Sequence, residues 1–243
     1  MTDHLKNGCC YFGAPDMFPF AFVGKTVQVV ALLAGLLKKT GTKLDALVIK
    51  ARQDHVAKRQ AERQLQKQQA LEHGRLLTDD IDIKEGLTLP QWSPILIIVP
   101  PSVEQHWLRD LATWGYFAAT SYGTSGLDSA LEQIRTGYNE IFVLRRSYFE
   151  KEEVASSLQT VDWKVVIIDE FHAAGFKNSK SRISENLRRF KQARKCPIIG
   201  LSGTLMQNNH QELWNLIDLV ETNYFGSWDK FKTEIADPIK YSL

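Results

Sequence analysis

The sequence predicts an α/β domain, with a mostly parallel central sheet and helices on both of its faces. Three observations predict it. Short apolar runs rich in β-branched residues recur along the chain and end at turn residues, the pattern of strands buried on both faces. Helix-period segments lie between them, and strand–helix alternation builds parallel sheets. Small polar clusters follow the runs, where open sheets of this kind bind ligands, beyond the carboxyl ends of the strands.

Ala46–Ile49 (ALVI) is the first run, short and ambiguous. Ile95–Val99 (ILIIV) stops at Pro100-Pro101. Ile141–Leu144 (IFVL) follows the turn-like Thr136-Gly137-Tyr138-Asn139. Val165–Ile168 (VVII) stops at Asp169-Glu170, and Ile198–Leu201 (IIGL) at Ser202-Gly203-Thr204. Apolar residues at Val103, Trp107, Leu108, Leu111 and Trp114 have helical spacing, as do Leu213, Leu216, Ile217 and Val220. Lys50–Arg75 is rich in Gln, Lys, Arg and Ala, with few large apolar residues. It reads as a solvated helix or a disordered insertion: either a polar surface linker or a basic strip against nucleic acid.

Bulk properties exclude several classes. With 243 residues, 44% of them hydrophobic, the chain can bury a full core. Thirty Lys and Arg against 28 Asp and Glu leave a net charge of +2, so any nucleic-acid contact must come from local charge. Cys9, Cys10 and Cys196 have neither zinc-site nor disulfide-framework spacing, which predicts a reduced, intracellular protein. No apolar stretch is long enough to span a bilayer, and the N-terminus lacks a signal-peptide pattern.

Three segments carry chemistry. Gly24-Lys25-Thr26 opens the apolar helix VQVVALLAGLL. Lysine on β/γ-phosphates and a hydroxyl on Mg²⁺ are what a phosphate-binding loop needs. The tripeptide alone fits chance equally well: Pro19 lacks an N–H, and Phe22 is bulky where backbone must approach phosphate. Asp169-Glu170-Phe171-His172 follows a strand. Its acidic pair can hold Mg²⁺ and polarise water, or simply favour a helix dipole. Ser202-Gly203-Thr204 ends another strand and can equally be a helix cap.

Taken together, these segments resemble the Swi/Snf-type branch of superfamily two helicases. GKTVQVVALLAGLL resembles motif I. ILIIVPPSVEQHWLRDLATWG resembles motif Ia, a strand, a Pro-Ser turn and a tryptophan-bearing helix. IFVLRRSYFEK lies at motif Ib, and VVIIDEFHAAGFKNSKSRISENLRRF resembles the Asp-Glu-x-His box of motif II. IIGLSGTLMQNNHQELWNLIDLV resembles motif III, and GSWDKFKTEIADPIK the tail of the first lobe. The last two are similar to the Cockayne-syndrome-B-like subgroup. The order and spacing of the motifs are specific, although no single motif is.

The resemblance implies a RecA-like P-loop lobe over residues 24–243, with an atypical segment at 1–23 and a polar insertion at about 50–92. It implies ATP and Mg²⁺ as cofactors, with Gly24, Lys25 and Thr26 on the nucleotide and Thr26 and Asp169 on the metal. Glu170 would activate water, and His172 would link the site to the coupling segment Ser202, Gly203 and Thr204. Ser102, Ser147, Arg145 and Arg146 would lie on the backbone of double-stranded DNA; for the two arginines, plain surface charge is an equal reading. Nuclear localisation follows, with nucleosomes or transcription complexes as partners.

Three departures qualify these expectations. The family's loop reads approximately Asp-x-Met-Gly-Leu-Gly-Lys-Thr, whereas FPFAFV separates Asp16-Met17 from Gly24 here. No upstream adenine-recognition glutamine segment is present, and the second lobe with its arginine fingers lies outside these 243 residues. An altered exon boundary, a fragment or a degenerate paralogue accounts for all three. The expected activities are negligible ATP turnover and weak, salt-sensitive duplex binding. The alternative is a RecA-like module that binds DNA or a partner without hydrolysing ATP.

Overall fold

The computed structural model describes residues 9–12, 21–72, 93–203 and 210–241. Its sheet has six strands, all pairing in parallel: β1 (Cys9–Phe12), β2 (Ile95–Val99), β3 (Ala119–Ser121), β4 (Ile141–Arg145), β5 (Val165–Ile168) and β6 (Ile198–Ser202). They lie in the order β1-β6-β5-β2-β4-β3. β2 and β5 are buried along their whole length, as continuous apolar strands covered on both faces must be.

The helices are α1 (Ala21–Leu36), α2 (Lys43–Glu72), α3 (Glu104–Gly115), α4 (Tyr122–Ser125), α5 (Leu127–Arg135), α6 (Arg146–Phe149), α7 (Glu152–Leu158), α8 (Ala174–Lys177), α9 (Arg182–Arg194) and α10 (His210–Val220). α11 (Trp228–Phe231) continues through a π turn at Lys232–Ala236 into α12 (Asp237–Tyr241). Alternation along the strands sorts two apolar layers. Val29, Val30 and Leu33 of α1 join Trp107 and Leu111 of α3 on one face of the sheet, against Ile97, Val143 and Ile167. Helices α5, α7, α9 and α10 cover the other face, against Leu96, Phe142, Leu144 and Ile168. The α/β class expected from the sequence stands.

One local expectation is corrected. Ala46–Ile49 is not a strand but part of α2, because a four-residue apolar run is too short to outweigh thirty residues of good helix formers. Thr42 starts that helix, its hydroxyl accepting from the Leu44 N–H at 3.3 Å. Cys9–Phe12, within the atypical segment 1–23, pairs with β6 as an edge strand. Trp114 lies in α3, as its spacing predicts, and is 59% exposed. Among the described residues, no helix is long and apolar enough to cross a membrane.

Cys196, just before β6, is buried, and burial pushes its thiol up to about 11. The neutral thiol is therefore the folded form. Its contribution to stability is complete below the ordinary value near 9 and is lost as pH rises through about 11. Peptide mapping after iodoacetamide treatment at pH 8 should find Cys196 unmodified in the folded chain and alkylated in urea.

Candidate functional site

The parallel register brings the carboxyl ends of β2, β4, β5 and β6 to one rim, and with them four polar clusters. β5 ends at Ile168, and the Asp169 N–H still donates to the Ile98 carbonyl at 2.8 Å. Glu170 then adopts a left-handed conformation, φ +49°, which costs a non-glycine residue of order 1–2 kcal/mol. The turn sends successive side chains to different places. Asp169 meets the α1/α3 layer, and Phe171 enters the opposite one. The Phe171 N–H donates to the Leu201 carbonyl at 2.8 Å. Its ring takes the space beside Gly200, where an added Cβ would stand 2.5 Å from Cδ1.

Glu170 is the hub. Lys25 Nζ donates to its Oε1 at 3.0 Å, and His172 Nδ1 lies 3.2 Å from its Oε2. The same Nδ1 lies 2.8 Å from Ser202 Oγ. A carboxylate only accepts, so the Nδ1–H tautomer of His172 satisfies both neighbours. Burial holds His172 below its ordinary value, and the negative charge of Glu170 partly opposes the shift. Gly203 completes the junction: a Cβ there would come within 3.8 Å of Lys25 Nζ. Lys25, Asp169, Glu170, His172, Ser202 and Gly203 thus gather at one rim. Thr26 is buried one residue beyond Lys25. Thr204 and Asp16-Met17 lie outside the described residues.

Asp169 has a partner that helical spacing alone did not reveal. The buried Trp107 indole N–H donates to its Oδ2 at 2.9 Å, while Oδ1 accepts from the Glu170 N–H at 2.9 Å. Burial raises the Asp169 carboxyl above its ordinary range, with the Trp107 hydrogen bond opposing that shift. A buried tryptophan generally finds a partner for its N–H, the one clue the sequence held.

The side chains here match a magnesium nucleotide: an ammonium, a hydroxyl and a fixed carboxylate. The main chain does not. A phosphate cradle needs free amides at a helix start, but α1 begins at Ala21, so the Lys25 and Thr26 amides fall within its own hydrogen-bond ladder. Among the described residues Gly24 does not serve close packing either, since an added Cβ would meet only Gln28 Nε2 there, at 3.7 Å.

The proposed DNA-contacting residues divide. Ser102 and Ser147 are exposed, at the ends of β2 and β4, and Arg146 is half-buried. Arg145 is already engaged: Nε and Nη2 reach Oε2 of the buried Glu104 at 2.7 and 2.6 Å, and its guanidinium lies 5.9 Å from the Tyr148 ring centre. The Glu104 carboxylate holds the Arg145 guanidinium above its ordinary value. This pair ties the turn bearing Ser102 to the turn bearing Ser147.

A family model described as SNF2-related domain matches residues 22–242. The chain belongs to that family. Mouse DNA excision repair protein ERCC-6-like 2 is 30% identical to this SNF2-family chain over 222 residues, 90% of the chain and 12% of the mouse protein. Switch 2 of Arabidopsis thaliana is 32% identical over 148 residues, 60% of the chain and 16% of that protein. The chain therefore spans less than a fifth of the length of either relative. A solved Sulfolobus solfataricus SWI2/SNF2 ATPase core in complex with dsDNA aligns over 61% of the chain and 29% of its own, with a TM-score of 0.48 and 23% identity.

Proposed function

We propose that this SNF2-family chain is the first lobe of an ATP-dependent DNA translocase of the chromatin-remodelling or repair kind, acting in the nucleus. The observation that carries the reading is the Lys25–Glu170–His172–Ser202 chain of contacts at one sheet rim. Lys25 would grip the β/γ-phosphates, and Thr26 and Asp169 would hold Mg²⁺. Glu170 would orient the attacking water, and its carboxylate is released for that task only when phosphate draws Lys25 away. His172, between Glu170 and Ser202, would carry the state of the site to the Ser202–Thr204 segment. Ser102, Ser147 and Arg146 would contact the phosphate backbone of duplex DNA, with Arg145 as their brace.

A second reading has its own support. The start of α1 at Ala21 leaves no free amide cradle around Gly24, Lys25 and Thr26, which favours a lobe that binds DNA or a partner without hydrolysing ATP. Both readings give one expected result for these 243 residues. With long duplex DNA and Mg-ATP, phosphate release should not exceed that of Glu170→Gln. Turnover clearly above that control would remove the second reading and require a working phosphate loop.

A further inference from the structure

Helix α2 carries a feature that the nucleotide rim does not use. Its root is fastened at the amino ends of the strands, away from that rim: Arg52 Nη1 donates to Glu140 Oε1 at 3.1 Å, and Gln53 Nε2 to the Tyr138 carbonyl at 3.1 Å. Val56 is the last buried residue of the helix. From there to Glu72 the helix runs on for about 24 Å with nearly every side chain exposed.

Charge on this arm is sorted by face. Positions 52, 56, 59, 63 and 67 advance by three or four residues, so they form one strip. The strip that holds Arg52 and Val56 against the lobe continues outward as Arg59, Arg63 and Lys67. Glu62 lies on another face and faces Lys58 at 4.0 Å. Arg59, Arg63 and Lys67 have no ion-pair partner among the described residues. A helix kept merely soluble gains by alternating opposite charges at i and i+4. Like charges at that spacing cost it about 0.2–0.5 kcal/mol per pair. Here Arg59, Arg63 and Lys67 repeat one sign at steps of about 6 Å.

We infer that the projecting half of α2 is a second nucleic-acid contact, in which Arg59, Arg63 and Lys67 lie along the phosphate backbone of a duplex. Two of the three are guanidinium groups, whose planar fork suits phosphate. Gln60 and Gln66 flank them, able to donate further hydrogen bonds to phosphate. Two leucines, Leu65 and Leu71, are exposed on this arm, but they stand six positions apart and so on different faces, and no aromatic side chain lies between Val56 and Leu71; neither base stacking nor a continuous apolar face for a lipid surface is provided for. The contact stands independently of the nucleotide reading, since its root lies at the opposite ends of the strands.

The test uses the full chain and a mixed-sequence 30-base-pair duplex, with binding followed by fluorescence anisotropy from 50 to 300 mM KCl. Each phosphate contact contributes about 0.9 to the slope of log affinity against log salt. Arg59→Gln/Arg63→Gln/Lys67→Gln should therefore flatten that slope by roughly 2–3, with helix content by circular dichroism unchanged. Neutralising three exposed lysines elsewhere, Lys195→Gln/Lys230→Gln/Lys232→Gln, should leave most of it. An unchanged slope in the first variant, an equal loss in the second, or no duplex binding by the intact chain would each overturn the proposal. So would weakened binding of polyglutamate with an unaltered duplex slope, which would identify an acidic polypeptide as the partner. Weaker binding by Ser102→Ala/Ser147→Ala, with the slope change from the α2 variant still present in that background, would separate this contact from the one at the nucleotide rim.

Discussion

Glu140→Ala should destabilise the folded chain by about 3–5 kcal/mol, the usual result of breaking a buried ion pair from one side. Glu140 stands just before β4 with its side chain 5% exposed, and it answers two cations. Lys39 Nζ lies 2.8 Å from Oε2 and Arg52 Nη1 3.1 Å from Oε1, with side chains 7% and 10% exposed. Lys39 also donates to the Tyr116 carbonyl at 3.2 Å and lies 4.5 Å from the centre of the Phe117 ring. One carboxylate therefore joins the turn after α1, the root of α2 and the strand β4. Its removal leaves two buried charges facing each other without an anion. Exposed pairs such as Arg189–Glu152, 58% and 74% exposed, contribute at most about 1 kcal/mol, and their loss should be barely measurable. Urea unfolding followed by circular dichroism distinguishes the two cases. Converting all three members together, Lys39→Met/Arg52→Met/Glu140→Met, removes the desolvation cost with the attraction and should be far milder than Glu140→Ala alone. A single variant within 1 kcal/mol of the parent would mean that water reaches these charges.

What the sequence made legible follows from how each signal is encoded. β2, β4, β5 and β6 carry continuous buried apolar runs that include β-branched residues, and composition marks them. β3 is only Ala-Thr-Ser, and β1 is Cys-Cys-Tyr-Phe at an edge, so both are defined by pairing rather than pattern. The gathering of Lys25, Glu170, His172 and Ser202 was legible because a parallel sheet puts every carboxyl end at one rim. The bonds that hold the rim were not. Trp107 is 62 residues from Asp169, and Glu104 is 41 from Arg145; helical spacing says where such residues point but not whom they meet. Arg145 shows the consequence, since a surface-looking arginine proves to be braced on a buried glutamate. The phosphate loop was half legible. Pro19 and Phe22 marked it as irregular, but the loss of its amides depends on where α1 starts, and helix boundaries are the least predictable part of a sequence reading.

Replacing Phe18–Val23 with a family-like Gly-Leu segment, so that Asp16-Met17-Gly-Leu precedes Gly24-Lys25-Thr26, should raise affinity for Mg-ATP at least about tenfold, or 1.4 kcal/mol. The side chains for the task are already assembled, with Lys25 Nζ on Glu170 and beside Gly203. The parent chain lacks main-chain donors, because α1 begins before Gly24 and takes the Lys25 and Thr26 amides into its ladder. Starting the helix at Gly24 would free them to point at phosphate. Gly24→Ala then reads out which conformation is present, because its effect should change sign. In the parent, Gly24 is helical and among the described residues its new methyl meets only Gln28 Nε2, at 3.7 Å, so alanine should stabilise the fold by about 0.5–1 kcal/mol. In the repaired chain the same methyl stands where backbone must approach phosphate, so alanine should cancel the gain in affinity. Lys25→Ala should cancel it too, since among the described residues Lys25 is the only lysine or arginine joined to Glu170. Isothermal titration with a non-hydrolysable ATP analogue measures the parent, the repaired chain and its Gly24→Ala and Lys25→Ala forms, and urea unfolding measures Gly24→Ala in the parent. Equal affinities in parent and repaired proteins would place the defect elsewhere at the rim, and a destabilising Gly24→Ala in the parent would mean that Gly24 is held outside helical geometry.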